Sequence, residues 1–222
     1  MISIIIPTYN EEKNIKKLLE YLDDLTEDFE VIFSDGGSSD NTLNLIDKYT
    51  KIQETKYRAN QMNAAVKYAK GDYLWFIHAD SKIDRLSLKY IENSEADAGC
   101  FRLKFDSDNS IMKIVAFFSN LRVVFRNIAF GDQGIFIKKD LFLKLGGFES
   151  IPLMEDYQLS IKLKKKKIKI KLIDDYIITS DRKFRNEGIL KTIIKMQILQ
   201  YKFRKQEDIF KIYREYYGDS ND

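Results

Sequence analysis

Tyr73-Leu74-Trp75-Phe76-Ile77-His78-Ala79-Asp80 is the stretch on which the reading of this chain turns. It opens after Gly71-Asp72, runs through aromatic and aliphatic residues, and stops at a histidine and a carboxylate. A short β-favouring run bounded by polar residues predicts a strand, and continuous apolarity predicts one covered on both faces, as in the centre of a parallel sheet. Ligands of such sheets bind beyond the carboxyl ends of the strands. His78 and Asp80 are therefore expected at a sheet rim, with side chains suited to a metal or a substrate. The plainer alternative is that the pair only caps a strand.

The residues before this run repeat one pattern. Ile2-Ser3-Ile4-Ile5-Ile6 is a β-branched strand stopped by Pro7, and Thr8-Tyr9-Asn10-Glu11-Glu12 leads into a helix capped by Asn10. That helix carries Ile15, Leu18, Leu19, Leu22 and Leu25 at helical spacing. Phe29 to Ser34 forms a second strand, followed by Asp35-Gly36-Gly37-Ser38-Ser39-Asp40-Asn41-Thr42 and a helix with Leu43, Ile46 and Tyr49 inward. Two glycines before a helix N-terminus allow a close backbone approach to an anion; an Asp-capped turn is the plainer account. Ile52 to Thr55 is a short third strand, and a helix begins at Arg58 with Met62, Ala65, Val66 and Ala69 as its packing face. Arg58 suits a phosphate, or else solvent. Strands alternating with helices predict an α/β fold with a mostly parallel central sheet flanked by helices.

Beyond Asp80 the pattern loosens. A helix through Leu86, Leu88 and Ile91 leads to a half-exposed strand, Ala98 to Phe105. Ile111 to Phe125 is a helix with more apolar surface than one core-facing stripe needs, so part of it is expected to face a partner, a lipid or an acceptor. Gly131-Asp132-Gln133-Gly134 is a polar turn before a strand Ile135 to Ile137. Pro152-Leu153-Met154-Glu155-Asp156 opens a helix in which Leu159, Ile161 and Leu163 pack inward. Two acids at a helix start suit its dipole, and either could equally serve as a general base. Lys164 to Lys167 ends that helix, and Ile168, Ile170 and Leu172 form an edge strand guarded by lysines, with anionic membrane binding as the alternative. Tyr176 to Ser180 is a further strand, and Asp181-Arg182-Lys183-Phe184-Arg185 a basic loop. Two helices, Gly188 to Arg204 and Glu207 to Tyr217, form an amphipathic extension suited to dimerisation or to a membrane surface.

Size and composition bound these expectations. The 222 residues suit one α/β domain with an extension, and 37 basic against 34 acidic residues leave +3, which argues against nucleic acid as a partner. Cys100 is the single cysteine, which excludes an internal disulfide. No stretch approaches the ~20 apolar residues of a membrane span. The chain enters its first strand without a basic leader, so a cytoplasmic location is expected, with peripheral contact at the inner face of the membrane as its variant.

Ile4 to Glu11, Asp35 to Thr42, the strand ending at Asp80, and Met154-Glu155-Asp156 together resemble, in this order, the GT-A-fold nucleotide-sugar transferases of glycosyltransferase family 2. More narrowly, His78-Ala79-Asp80, Gly131 to Gly134 and Pro152 to Asp156 resemble a bacterial subgroup associated with arsenosugar biosynthesis. The resemblance implies a catalytic domain over residues 1–187 and a helical extension over 188–222. It implies that Pro7, Tyr9 and Glu11 line the base and ribose, that Asp35 accepts a hydrogen bond from the base, and that Arg58 lies near the nucleotide. Asp80 would bind the divalent cation, Mn or Mg, that bridges the donor diphosphate; His78 stands where the family has a first aspartate and is a second metal candidate. A histidine supplied later by many relatives is missing, and Asp181 is the residue that could replace it. Asp156 matches the family's general base, with Glu155 beside it. Asp132 and Gln133 are expected on the acceptor side, and Arg182 and Arg185 near the diphosphate. The implied activity is a metal-dependent inverting transfer from a nucleotide-diphosphate sugar to a small-molecule or lipid-linked acceptor. A polyprenyl-phosphate sugar synthase and a nucleotide-binding module without catalysis are the alternatives.

Overall fold

The computed structural model describes residues 1–218. Its strands are β1 (Ile2–Thr8), β2 (Phe29–Asp35), β3 (Thr50–Gln53), β4 (Tyr73–Phe76), β5 (Ala98–Phe105), β6 (Phe136–Lys138) and β7 (Lys171–Thr179). They form one sheet in the order β3-β2-β1-β4-β6-β5-β7. Only β6 runs against its neighbours, pairing antiparallel with β4 and β5, while β1–β2, β1–β4, β2–β3 and β5–β7 are parallel. The first half is a run of βα units joining parallel strands. The helices are α1 (Glu12–Asp23), α2 (Thr42–Leu45), α3 (Arg58–Val66), α4 (Ser87–Asn93), α5 (Ser110–Arg126), α6 (Lys139–Lys144), α7 (Glu155–Lys165), α8 (Arg182–Glu187), α9 (Ile189–Arg204) and α10 (Ile209–Tyr217).

Strand alternation divides the core into two layers. Ile4, Ile6, Phe33, Trp75 and Ile77 pack on one side with Ile15, Leu18 and Leu22 of α1; Ile5, Ile32, Leu74 and Phe76 pack on the other with Ala59, Met62 and Ala65 of α3. Both faces of β4 are thus covered, as its unbroken apolarity predicts. Trp75 is fully buried and donates from Nε1 to the Gly134 carbonyl at 3.2 Å, which ties β4 to the turn before β6. Burying one such side chain contributes roughly 2–3 kcal/mol. The carboxyl end of β4 is therefore a rigid platform for His78 and Asp80.

Several expected elements differ. Asn10 does not cap α1; Glu11 holds that position, and Asn10 sits at φ 54 with its side chain bonded to the neighbouring loop. The helix expected through Tyr49 is the single turn α2, because β3 already begins at Thr50 and leaves too few residues. That strand lies two residues earlier than the expected Ile52 to Thr55, and β6 lies one residue later than the expected Ile135 to Ile137. Ile161 is half-buried, whereas Leu159 and Leu163 are buried as expected. The two strands expected over Ile168 to Ser180 are one edge strand, β7, whose register against β5 shifts between Phe101 and Arg102. A bulge lets Asp174 and Asp175 lie inside an otherwise apolar strand. The basic loop after it is the helix α8.

The last three helices pack onto the body rather than away from it. Phe184 of α8 and Ile193 and Met196 of α9 pack with Met112 and Ala116 of α5; Leu199, Ile212 and Tyr213 pack with Leu153 and Met154.

Candidate active site

Two loops at the carboxyl end of the sheet are laced together. The Asn10 N–H donates to Ser38 Oγ at 2.8 Å, Ser39 N–H donates to Asn10 Oδ1 at 2.8 Å, and Glu11 N–H donates to Thr42 Oγ1 at 2.8 Å. Asp35 is fully buried and accepts from Gly37 N–H at 2.9 Å, Ser38 N–H at 2.7 Å, Ser38 Oγ at 2.5 Å and Thr8 Oγ1 at 3.2 Å. The glycine loop is thus an Asp-capped turn, the plainer of its two sequence readings. Its carboxylate is spent within the loop, and Gly36, not Asp35, reaches the cavity wall.

That cavity measures about 400 Å³, and Pro7, Tyr9, Glu11, Asp80, Arg58 and Arg182 are among the residues that line it. Glu11 and Asp80 both line it. Burial raises the pKa of both carboxyls, and the charge of Asp80 raises Glu11 further, while Arg182 opposes the shift. Two carboxyls in one cavity suit a cation. No group of three or more His, Cys, Asp or Glu forms a ready-made metal cage among the described residues.

A second cavity, about 280 Å³, has Asp132, Asp156, Arg122, Lys183 and Met196 in its walls. Arg58, His78 and Tyr216 line both cavities, so Asp80 and Asp156 stand on either side of one shared partition. Asp156, in the first turn of α7, accepts from Gly131 N–H at 2.7 Å and Tyr157 N–H at 2.6 Å. A Cβ on Gly131 would lie 2.8 Å from His78 Nε2 and 3.5 Å from Asp156 Oδ2. Only glycine lets the end of β4 approach the start of α7 this closely.

Arg58 links the two ends. Its Nε lies 3.4 Å from Glu155 Oε1 and its Nη1 3.4 Å from His78 Nε2. Burial opposes its charge, but Tyr217, Glu155 and Asp156 outweigh that and hold it cationic. Burial and then Arg58 push the His78 pKa down to about 3, so its ring is neutral. Burial raises Glu155 to about 7 against the pull of Arg58, raises Asp132 to about 6 against Arg122, and raises Asp156 against its bond from Gly131 N–H. Asp132 Oδ1 is buried with no partner, an acceptor atom available to a ligand.

Five expected residues lie off the walls of both cavities: Asp35, Gln133, Glu155, Asp181 and Arg185. Gln133 is buried, with Oε1 accepting from Arg122 Nη2 at 3.0 Å. Arg185 pairs with Asp181 at 2.7 Å, and neither lines a cavity. Sequence reasoning missed the α10 tyrosines and Tyr57. Tyr213 meets Tyr57 edge-on at 5.4 Å, and Lys183 Nζ stands 3.2 Å from the Tyr216 ring centre, its pKa pushed down to about 8 by burial. Tyr57 at φ 96 and Met154 at φ 68 adopt left-handed backbone at the starts of α3 and α7. Such strain concentrates at functional sites, and nothing in a tyrosine or methionine code announces it.

The description "Glycosyl transferase family 2" belongs to the family model that matches residues 3–144. The poly(ribitol-phosphate) beta-N-acetylglucosaminyltransferase TarS of Staphylococcus aureus is 32% identical over 124 residues, 50% of this chain and 20% of that protein. The chain thus spans about a fifth of the length of that relative. The structure of S. aureus TarS 1-349 with UDP-GlcNAc superposes with a TM-score of 0.66 at 20% identity, covering 81% of this chain and 58% of that one. The mannosyltransferase PcManGT of Pyrobaculum calidifontis, in complex with GDP-Man and Mn2+, gives 0.68 at 20% identity, covering 97% and 69%. These likenesses establish the GT-A architecture for the seven-stranded sheet and its helices.

Proposed function

The chain belongs to glycosyl transferase family 2, and from that premise we propose that it moves a sugar from a nucleotide-diphosphate donor to an acceptor hydroxyl with inversion. The observation that carries this reading is the partition of Arg58, His78 and Tyr216 between a cavity holding Asp80 and a cavity holding Asp156. The larger cavity takes the nucleotide, with Pro7, Tyr9 and Glu11 against base and ribose and Asp35 shaping the loop beside them. The smaller takes the acceptor: its attacking hydroxyl loses its proton to Asp156 as the new bond to the sugar carbon forms and the diphosphate leaves, while the unpartnered Oδ1 of Asp132 accepts from a second polar group of the acceptor. Glu155 holds Arg58 in place between them. Residues 1–187 supply the catalytic fold, and the extension closes it through its described residues, 188–218.

Asp80 fits a divalent cation that takes its remaining ligands from the donor phosphates and water, a common arrangement for Mg. Bound there, Mn or Mg would neutralise the charge developing on the departing diphosphate. His78 Nε2 accepts from Arg58, so in the neutral ring Nδ1 carries the proton and can donate to a ribose or diphosphate oxygen, which leaves the metal to Asp80. Arg182 lines the same cavity and stands near the diphosphate, and Arg185 supports it through α8.

Thermal-shift titration with UDP-GlcNAc, GDP-Man and other nucleotide sugars, with and without Mn, tests the reading. We expect one nucleotide class to raise Tm only with metal; no shift with any of them would refute it. The finer assignment to the arsenosugar-associated subgroup rests on His78-Ala79-Asp80, Gly131 to Gly134 and Pro152 to Asp156, and acceptor screening tests it. A lipid-linked acceptor at a membrane surface is the second reading, favoured by the exposed apolar residues of α5 and α9.

A further inference from the structure

α5 and α9 each turn apolar residues outward. In α5, Met112, Ala116, Ser119 and Val123 face the core, while Ile114, Phe117, Phe118, Val124 and Phe125 are exposed, Phe125 by 78%. At 3.6 residues per turn the exposed set forms a stripe opposite the buried one. In α9, Thr192 and Leu199 are buried and Leu190, Ile194, Ile198 and Tyr201 are exposed. Val115 of α5 and Ile193 and Met196 of α9 meet in one cluster, so the helices are neighbours. A surface helix normally turns charge to solvent, and paired apolar faces of this size mark an interaction site.

Charge indicates what covers them. α5 exposes Lys113 and Arg126 and α9 exposes Lys191 and Arg204, while Arg122 lines the Asp156 cavity and Lys195 and Lys202 pair with Glu187 and Glu215; neither helix contains an aspartate or glutamate. In a chain that is nearly balanced overall, the two helices carry a local basic excess. Apolar residues interleaved with cations, without acids, are the pattern of helices that lie in a lipid interface and attract anionic headgroups. No helix among the described residues is long and apolar enough to cross a membrane, and lying on one needs no such length.

We infer that the outward faces of α5 and α9 seat this protein on an anionic lipid bilayer. The same helices contribute Val115, Ser119, Arg122, Ile193, Met196 and Gln197 to the cavity that holds Asp156. Docking sets that cavity at the headgroup layer, where a hydroxyl or phosphate carried by a lipid is presented. The inference deepens the lipid-acceptor reading and rests on it for the acceptor, while vesicle binding needs no turnover.

The test is co-sedimentation of the full chain with vesicles of phosphatidylcholine mixed with phosphatidylglycerol, and with vesicles of phosphatidylcholine alone, at low and high salt. Binding to the mixed vesicles, weakened by salt, is expected. Phe118→Ser with Phe125→Ser should weaken partition about tenfold or more, and Lys113→Glu with Lys191→Glu should remove the preference for phosphatidylglycerol, each with unchanged Tm and unchanged hydrolysis of the donor in solution. Three results overturn the inference: wild-type protein that stays in the supernatant with both vesicle types, binding that these substitutions leave intact, or a concentration-dependent dimer abolished by the serine variants. Vesicle binding by a protein that turns over no donor would refute the transferase reading and leave the docking intact.

Discussion

Gly131 shows how far a single residue sets the chemistry. Its missing side chain is what allows His78 and Asp156 to approach across the partition. Gly131→Ala should push them apart by up to an ångström and lower transfer about 10²-fold, since misplacement on that scale costs this much; steady-state kinetics with unchanged Tm would confirm a local effect, and an unaltered rate would refute it. The buried acids give a second prediction. Glu155 and Asp132 hold their protons to about pH 7 and 6 in the folded chain, above the ordinary carboxylate range. Folding takes up protons between that range and about pH 7, so stability must fall as pH rises through this window. Tm should decline from pH 5 to 8, and Glu155→Gln should flatten the decline; a Tm that rises over the window would contradict the burial argument.

At the scale of elements, α10 is the instructive case. Its amphipathic pattern was legible as a helix, but whether Tyr213, Tyr216 and Tyr217 faced solvent, a partner or the site was not, because the surface they meet is assembled from residues as distant in sequence as Tyr57, Met154 and Lys183. Tyr216 closes the partition between the cavities. Tyr216→Ala should raise hydrolysis of the donor relative to transfer several-fold by admitting water, and Tyr216→Phe should not. An unchanged ratio in both variants would remove α10 from the account. β4 behaves in the opposite way: a run of apolar residues without alternation can satisfy itself only inside a sheet, so its central place and the position of Asp80 could be read from the code. β3 and α2 were harder to place, because four-residue elements carry too few positions for a periodicity and their limits are set by neighbouring strands.

For the whole molecule, the βα repeats that make the larger cavity were readable from local pattern, and the closure of the smaller one by the C-terminal helices was not. Motif order singled out Asp80 and Asp156, yet the partition between them depends on the sheet order and on the packing of α7 against β4. Asp35 and Gln133 were identified as polar residues in the right loops, and only packing reveals that their hydrogen-bonding capacity is consumed internally. The proposed metal dependence is tested on the assembled site: chelation should abolish transfer, Mn or Mg should restore it, and Asp80→Ala should raise the metal concentration needed at least tenfold. Restoration in Asp80→Ala at the wild-type metal concentration would dissociate Asp80 from the cation.

The central claim is that a donor cavity at Asp80 and an acceptor acid at Asp156 work across one partition. Its most direct test is calorimetric nucleotide binding measured beside transfer kinetics for Asp156→Asn. The account predicts nucleotide affinity within about threefold of wild type and transfer lowered 10²-fold to 10⁴-fold, the usual contribution of a general base. Transfer persisting near the wild-type rate, or nucleotide binding lost together with it, would contradict it.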